Sequence, residues 1–449
     1  MTNYTRFSPR ASLVAMGVWM QRRKLWDVVE NHVHIKQKVI KHRPIDKLKD
    51  AFINIVAGGH GLVEINTRVR PDDALQQAFG RASCADQSTV SDTLNACHET
   101  QVEQMRQAQH VLLRTYSQAC KHNYDKQHLL LDIDLTGMPA GRQGEGVTKG
   151  YFSGHKGRRG RQLGRVLATD YDEVIVDRLY AGTKQLEQNL QELVLSAEVI
   201  LDLDDTKRQR TIARVDGGGG RDADINWLLE RNYHLITKVK NWKRANKLAK
   251  SVETWYPDPK VANREIGWVT EPHAYVRPTR QVAIRKRKPN GKWHYRVLVF
   301  TLSDELLFQF LDRSLPQSRR SRRTLYAAMH AYDLRGGGVE TAIRGSKSGL
   351  GITRRNKRRF SAQEMLVLLA QLAYNLITWL HVLLSRVCSR LSKYGKLRTV
   401  RDLFHIPGQV LLDAQGRVLK VTLNDKHTLA PPFGHAMQCL VSENEMWPI

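Results

Sequence analysis

Between Gln127 and Lys240 the chain alternates in a way that few folds accept. Three strand-like runs come first, QHLLLDIDL and then the two halves of RQLGRVLATDYDEVIVDRLYAG about the turn DYD. A helical period follows over Thr183 to Leu203, then a strand (TIARVD), a helix (DADINWLLER) and a strand (YHLITKV). A strand meander followed by alternating helix and strand predicts an α/β architecture, a mixed sheet covered by helices.

The flanks have other textures. Residues 1–125 read as helical, and SCADQSTVSDTLNA (Ser83 to Ala96) supplies capping residues that suit a helix-turn-helix or a plain helical bundle equally. Residues 241–321 read as β-rich, with two long strands around PNG. Helices return over 322–391, and a tail, 392–449, carries a hairpin at Gln409 to Leu423. MLVLLAQLAYNLITWLHVLL (Met365 to Leu384) has the length of a membrane crossing. Gln371, Asn375 and Thr378 nevertheless form a polar stripe on one face, which predicts a buried helix of a soluble protein and no membrane partner. The five cysteines (Cys84, Cys97, Cys120, Cys388, Cys439) include no CxxC pair, which predicts a reducing, cytoplasmic setting and neither disulfides nor zinc. No secretory signal is read at the N-terminus.

Charge narrows the partner. With 71 Lys and Arg against 44 Asp and Glu, the net charge is +27, which points to a polyanion, nucleic acid before a lipid surface. Three basic runs stand out: HKGRRGRQLGR, with Lys156, Arg158 and Arg159; RRSRR (Arg319 to Arg323); and RRNKRR, with Arg354 and Arg355. Among the tryptophans, Trp242, Trp255, Trp268 and Trp293 are placed to stack on bases, although core packing is the commoner use of such residues.

In so basic a chain the acids that end apolar strands need a reason. Asp132 and Asp134, two apart in a strand, share a face. Asp216 ends the next apolar strand and precedes four glycines, which leave its backbone open to a ligand. Carboxylates gathered this way suit a hard cation such as Mg²⁺. Asp204, Asp205, Asp222 and Asp224 lead helices and read as caps. Glu340, in YDLRGGGVETAIRGSKSG, stands among Arg335, Arg344 and Lys347, and Lys347 lies seven residues on.

These motifs, DIDLTG, VDGGGGRD followed by NWLLERNYHLITKV, Tyr-x2-Arg with Glu-x6-Lys, and LAQLAYNL, resemble the bacterial insertion-sequence DDE transposases of the branch with a Tyr-Arg-Glu-Lys signature. The resemblance covers about Gln127 to Trp379. It implies a ribonuclease-H-like core (126–240 and 322–391) interrupted by the β-rich insertion 241–321, behind a helical N-terminal DNA-binding or assembly region. It further implies Asp134, Asp216 and Glu340 as catalytic metal ligands for two Mg²⁺ (or Mn²⁺) ions; Asp132 is read as a supporting or structural acid, and whether it shares the metal site stays open at this point. Tyr332, Arg335 and Lys347 take the DNA-contacting places, and DNA ends and target DNA are the implied partners of a homodimer. The chain departs from the pattern by one extra residue between Arg335 and Glu340, within a Gly336–Gly338 run, so these two share a helix face only if the helix starts after the glycines. Rival readings are a nuclease without strand transfer and a DNA-binding protein that no longer cuts.

Overall fold

The run LLLDIDL becomes the strand Leu129–Pro139, in the middle of a ten-stranded sheet. The computed structural model describes residues 3–150, 152, 155, 157–311 and 319–441; Lys156 lies outside them. On one side of Leu129–Pro139 the strands Arg159–Ala168 and Glu173–Ala181 follow antiparallel. On the other side Thr211–Val215 and His234–Lys238 run parallel to it. The parallel pairings are closed by the crossover helices Leu186–Leu201 and Asp222–Glu230, as parallel neighbours require. This is the predicted order of strands and helices.

The stretch 241–321 does not stand apart from that sheet. His234–Lys238 pairs antiparallel with Trp293–Phe300, Ile236 opposite Phe300. Arg280–Arg287, Arg264–Trp268 and Tyr256–Pro257 then extend the same sheet. The PNG turn joins the two long strands of this extension. Of the four tryptophans, Trp242 is exposed, whereas Trp255, Trp268 and Trp293 are half-buried against the extension.

The helix Phe360–Val387 is long and apolar enough to cross a membrane, yet it is buried along most of its apolar length. Its polar stripe explains where it sits. Asn375 accepts from the backbone N–H of Val174 (2.9 Å) and donates to the Val174 carbonyl (2.8 Å). Gln371 donates to the same carbonyl (3.2 Å), and Thr378 to that of Asp172 (3.0 Å). The stripe therefore satisfies the open backbone of the edge strand Glu173–Ala181, which would otherwise invite pairing with another chain. The N-terminal helices Pro44–Val56, Gln87–Asn95 and Glu99–Tyr116 pack on this same helix.

One strand falls where only helices were expected. Tyr4–Ser8 pairs with Gly408–Leu412, which pairs with Val418–Leu423, so the chain's two ends share a three-stranded sheet. An exposed five-residue edge strand has little apolar alternation to betray it, and its partner lies about 400 residues away.

Candidate active site

Asp134 and Asp216 meet because each follows the last parallel pair of two neighbouring strands. Ile133 is opposite Val215, and the Asp216 N–H donates to the Ile133 carbonyl (3.1 Å). The carboxyl ends of parallel strands are where open α/β sheets bind their ligands. Asp134 is nearly enclosed, with 14% of its side chain exposed, whereas Asp216 is 44% exposed.

Asp132, on the same face of the strand, has a different occupation. It is fully buried and opposite Arg214 on the neighbouring strand, which grips it with two hydrogen bonds (Nε to Oδ1 2.5 Å, Nη2 to Oδ2 2.8 Å). The Thr169 hydroxyl donates to Oδ2 as well (2.8 Å). Oδ2 also receives the backbone N–H of Val339 (3.3 Å), the first residue of the helix Val339–Arg344. A Cβ on Gly338 would lie 2.4 Å from that oxygen, so only glycine permits the approach. Asp132 thereby fixes the start of the helix that carries Glu340.

That helix begins after the glycines. The helix Arg320–Asp333 gives way to a 3₁₀ turn, Leu334–Gly336, and a new helix starts at Val339 with Glu340 in its first turn. The extra residue is absorbed by the turn, and Arg335 swings inward. Its guanidinium reaches Asp134 Oδ2 (3.0 Å) and Asp216 Oδ1 (2.9 Å), and it stands 4.0 Å from Glu340 Oε1. Three acids from three elements thus converge on one buried cation. Its Nε is buried without a hydrogen-bond partner.

The electrostatics follow from the enclosure. Burial raises the Asp134 carboxyl to about 7; Arg335 opposes the shift and the charge of Asp216 adds to it. Burial acts against the charge of Arg335, but Tyr332, Asp134 and Asp216 more than restore it, so the guanidinium stays protonated. Lys347 donates to the Thr136 hydroxyl (2.6 Å) and the Gly137 carbonyl (3.0 Å), and burial lowers its pKa. A cavity of about 450 Å³ opens beside Asp216, lined by Thr136, Phe152, His155, Arg158, Gly218 and Lys347 among others.

The glycine run divides in two. Gly217 and Gly218 have room around them, and Gly218 faces the cavity. A Cβ on Gly220 would lie 1.8 Å from the Lys238 carbonyl, and one on Gly219 would press on Val215, so those two serve packing and not ligand access.

Several residues read as DNA contacts lie in the interior. Tyr332 is buried, its hydroxyl 3.4 Å from Arg335 Nη1 and its ring beneath Lys238, so it supports the arginine. Arg335 is turned in toward the acids. Arg355 is buried, donates to the carbonyls of Leu350 (2.6 Å) and Gly59, and has a pKa lowered to about 10 by burial. By contrast Arg158, Arg344 and Arg354 are exposed and Arg159 is half-exposed. Asp204 caps a helix through the Lys207 N–H (2.8 Å), while Asp205, Asp222 and Asp224 occupy first turns, as read. Among the described residues no cysteine forms a disulfide. Sequence reasoning missed Arg214 and Gly338; an Arg two before Asp216, in register with Asp132, was the available signal.

The model of the family described as transposase DDE domain group 1 matches residues 5–444, nearly the whole chain. The protein belongs to that family. No curated protein matches its sequence. Among solved structures, the cryo-EM structure of a piggyBac transposase synaptic complex with hairpin DNA aligns over 90% of this chain and 82% of that chain. The identity is 11% and the TM-score 0.44, a likeness too loose to define the fold.

Proposed function

We propose that the protein is a cut-and-paste transposase that cleaves DNA strands at the ends of an insertion sequence and joins them to target DNA, using Asp134, Asp216 and Glu340 as ligands of divalent metal. The observation that carries this reading is the convergence of those three carboxylates on the one guanidinium of Arg335. Membership of the transposase family and the run of three antiparallel strands followed by two parallel ones, the order expected of a ribonuclease-H-like core, support it.

The donor set fits a hard cation: all three are carboxylates, and all are already drawn to a positive charge. Among the described residues no three such groups stand close enough to hold an ion as they are, because Arg335 occupies the point of convergence. The guanidinium is the stand-in, neutralising acids that would otherwise repel one another. Two bound Mg²⁺ ions would supply an activated attacking oxygen and stabilise the leaving oxygen of the phosphate. Glu340 is held for this by the Asp132 anchor at the start of its helix. Lys347, fixed to the far half of the Asp134 strand, and Arg158 line the adjoining cavity, and with Arg159, Arg344 and Arg354 they offer cations to the DNA backbone. A homodimer bridging two DNA ends, working in the bacterial cytoplasm, completes the reading.

The experiment pairs calorimetric Mn²⁺ titration with a gel assay on DNA carrying the ends of the protein's own element. Cleavage and joined products in Mg²⁺, abolished by EDTA, are expected, with Mn²⁺ binding lost in Asp216→Ala. Cleavage that persists in EDTA would overturn the metal mechanism, and cleavage without joined products would leave a nuclease.

A further inference from the structure

Two cavities meet at Lys347. One is the cavity beside Asp216. The other, about 600 Å³, lies beyond the turn Gly345–Gly349 and is assembled from three distant parts of the chain: residues 58–68, 347–354 and 397–405. Lys347 and Thr353 line both. Gly349 closes the wall between turn and C-terminal region, since a Cβ there would come 2.8 Å from the Leu397 nitrogen.

The second cavity is lined by four basic side chains, Arg68, Lys347, Arg354 and Arg401, and by no carboxylate. Glu64 and Asp402 stand behind it and pair with Arg68 (2.8 Å) and Arg401 (2.6 Å), which orients those guanidiniums and removes part of their charge. Among the described residues Lys347 and Arg354 have no ion pair. His60 and His405 also line the cleft; burial and neighbouring arginines hold both below their ordinary pKa, so near neutral pH they add hydrogen-bonding groups and not charge.

A concave site with several cations and no acid selects a polyanion. Its size is that of a small-ligand pocket, room for a nucleotide or two of one strand. A duplex, whose major groove alone is about 12 Å wide, does not enter it. The cleft and the cavity at the acids share Lys347 and Thr353 in their walls.

We propose that this cleft holds the phosphodiester backbone of a short single-stranded DNA segment, the continuation of the strand whose phosphate lies at Asp134 and Asp216. The inference rests on the transposase reading above and adds to it a path for the strand.

Fluorescence anisotropy of the full-length protein across a salt series tests it. The probes are oligothymidines of about 6 and about 18 nucleotides, one near the lower end of typical single-strand sites and one beyond the upper end, and a duplex as long as the larger. Arg354→Gln and Arg401→Gln change exposed side chains, and unaltered thermal melting will show that both variants fold. On the long single strand each should flatten the logarithmic salt slope by about 0.7, and the double variant should lose affinity about tenfold. The loss should vanish on the short probe and shrink on the duplex, and Lys420→Gln, on the distant strand Val418–Leu423, should change nothing. An unchanged slope in the double variant, with Arg158→Gln still weakened, would overturn the cleft and leave the acid-side reading standing. An equal loss on duplex and single strand would replace the proposal with a general surface effect. Failure of the wild-type protein to bind any probe would remove both readings together.

Discussion

The acids and the basic runs of this molecule behave in opposite ways. Asp134, Asp216 and Glu340 are scattered over 207 positions of sequence, yet the fold brings them to one guanidinium. The cations of RRNKRR are contiguous, yet the fold sends them in different directions. Arg354 faces the cleft, Arg355 is buried against Gly59, Lys357 donates to Ser91, and Arg359 donates to the Asn95 carbonyl. The run HKGRRGRQLGR divides likewise. Arg158 lines a cavity, whereas Arg161 is buried on the carbonyls of Glu145 and Arg358, and Arg165 is locked to buried Asp177. In RRSRR, Arg320 pairs with Asp304, and Arg322 lies over Tyr256. Charge density along a chain thus overstates the surface offered to a polyanion, because buried arginines that satisfy carbonyls and carboxylates count toward it equally.

The largest expected effect is at the acids. Asp216→Ala and Glu340→Gln should abolish strand cleavage while DNA binding, measured by mobility shift, stays near wild type, because the exposed cations remain. Near-normal cleavage by Glu340→Gln would show that the convergence on Arg335 is not the catalytic constellation.

Asp132 sharpens the contrast from the stability side. Asp132→Ala leaves Arg214 buried without its partner, a loss of about 3–5 kcal/mol for a broken buried pair, read by chemical denaturation. Asp132→Asn retains one acceptor oxygen for Thr169 and Val339 and should cost less, with cleavage reduced but present. Dead Asp132→Asn together with active Asp134→Asn would reverse the roles given to the two.

Adjacent arginines offer the next test. Arg355→Gln strands buried carbonyls and should cost about 1–3 kcal/mol. Arg354→Gln, one residue earlier and exposed, should change stability by less than about 0.5 kcal/mol. Equal effects on melting would mean that the basic run is not divided as described.

The smallest effect concerns pH. His381 accepts or donates a hydrogen bond at Thr399 Oγ1 (2.8 Å), and burial first, then Lys396, lowers its pKa from 6.5 to about 3. A histidine whose folded pKa is depressed contributes fully above 6.5 and loses that contribution as pH falls toward 3, because the unfolded chain takes up the proton first. Melting temperature should therefore fall between pH 7 and pH 5, and His381→Gln should flatten that part of the curve. An identical slope in the variant would remove His381 as a cause.

The sequence by itself determined the core's strand and helix order, the buried polar-striped helix and both hairpins. These rest on local periodicity and turn chemistry, which act over a few residues. A helix beginning after the glycines was one of two open readings, and the structure starts it at Val339. Only the tertiary structure decided that Tyr4–Ser8 pairs with a strand near the other end, that 241–321 extends the core sheet, and that Arg214 neutralises Asp132. It alone turned Arg335 onto the acids, buried Tyr332 and Arg355, and built a cleft from three remote segments. Each of these depends on which strands lie in register and which side chains meet across them, and a linear pattern records a side chain's type and spacing but not its partner.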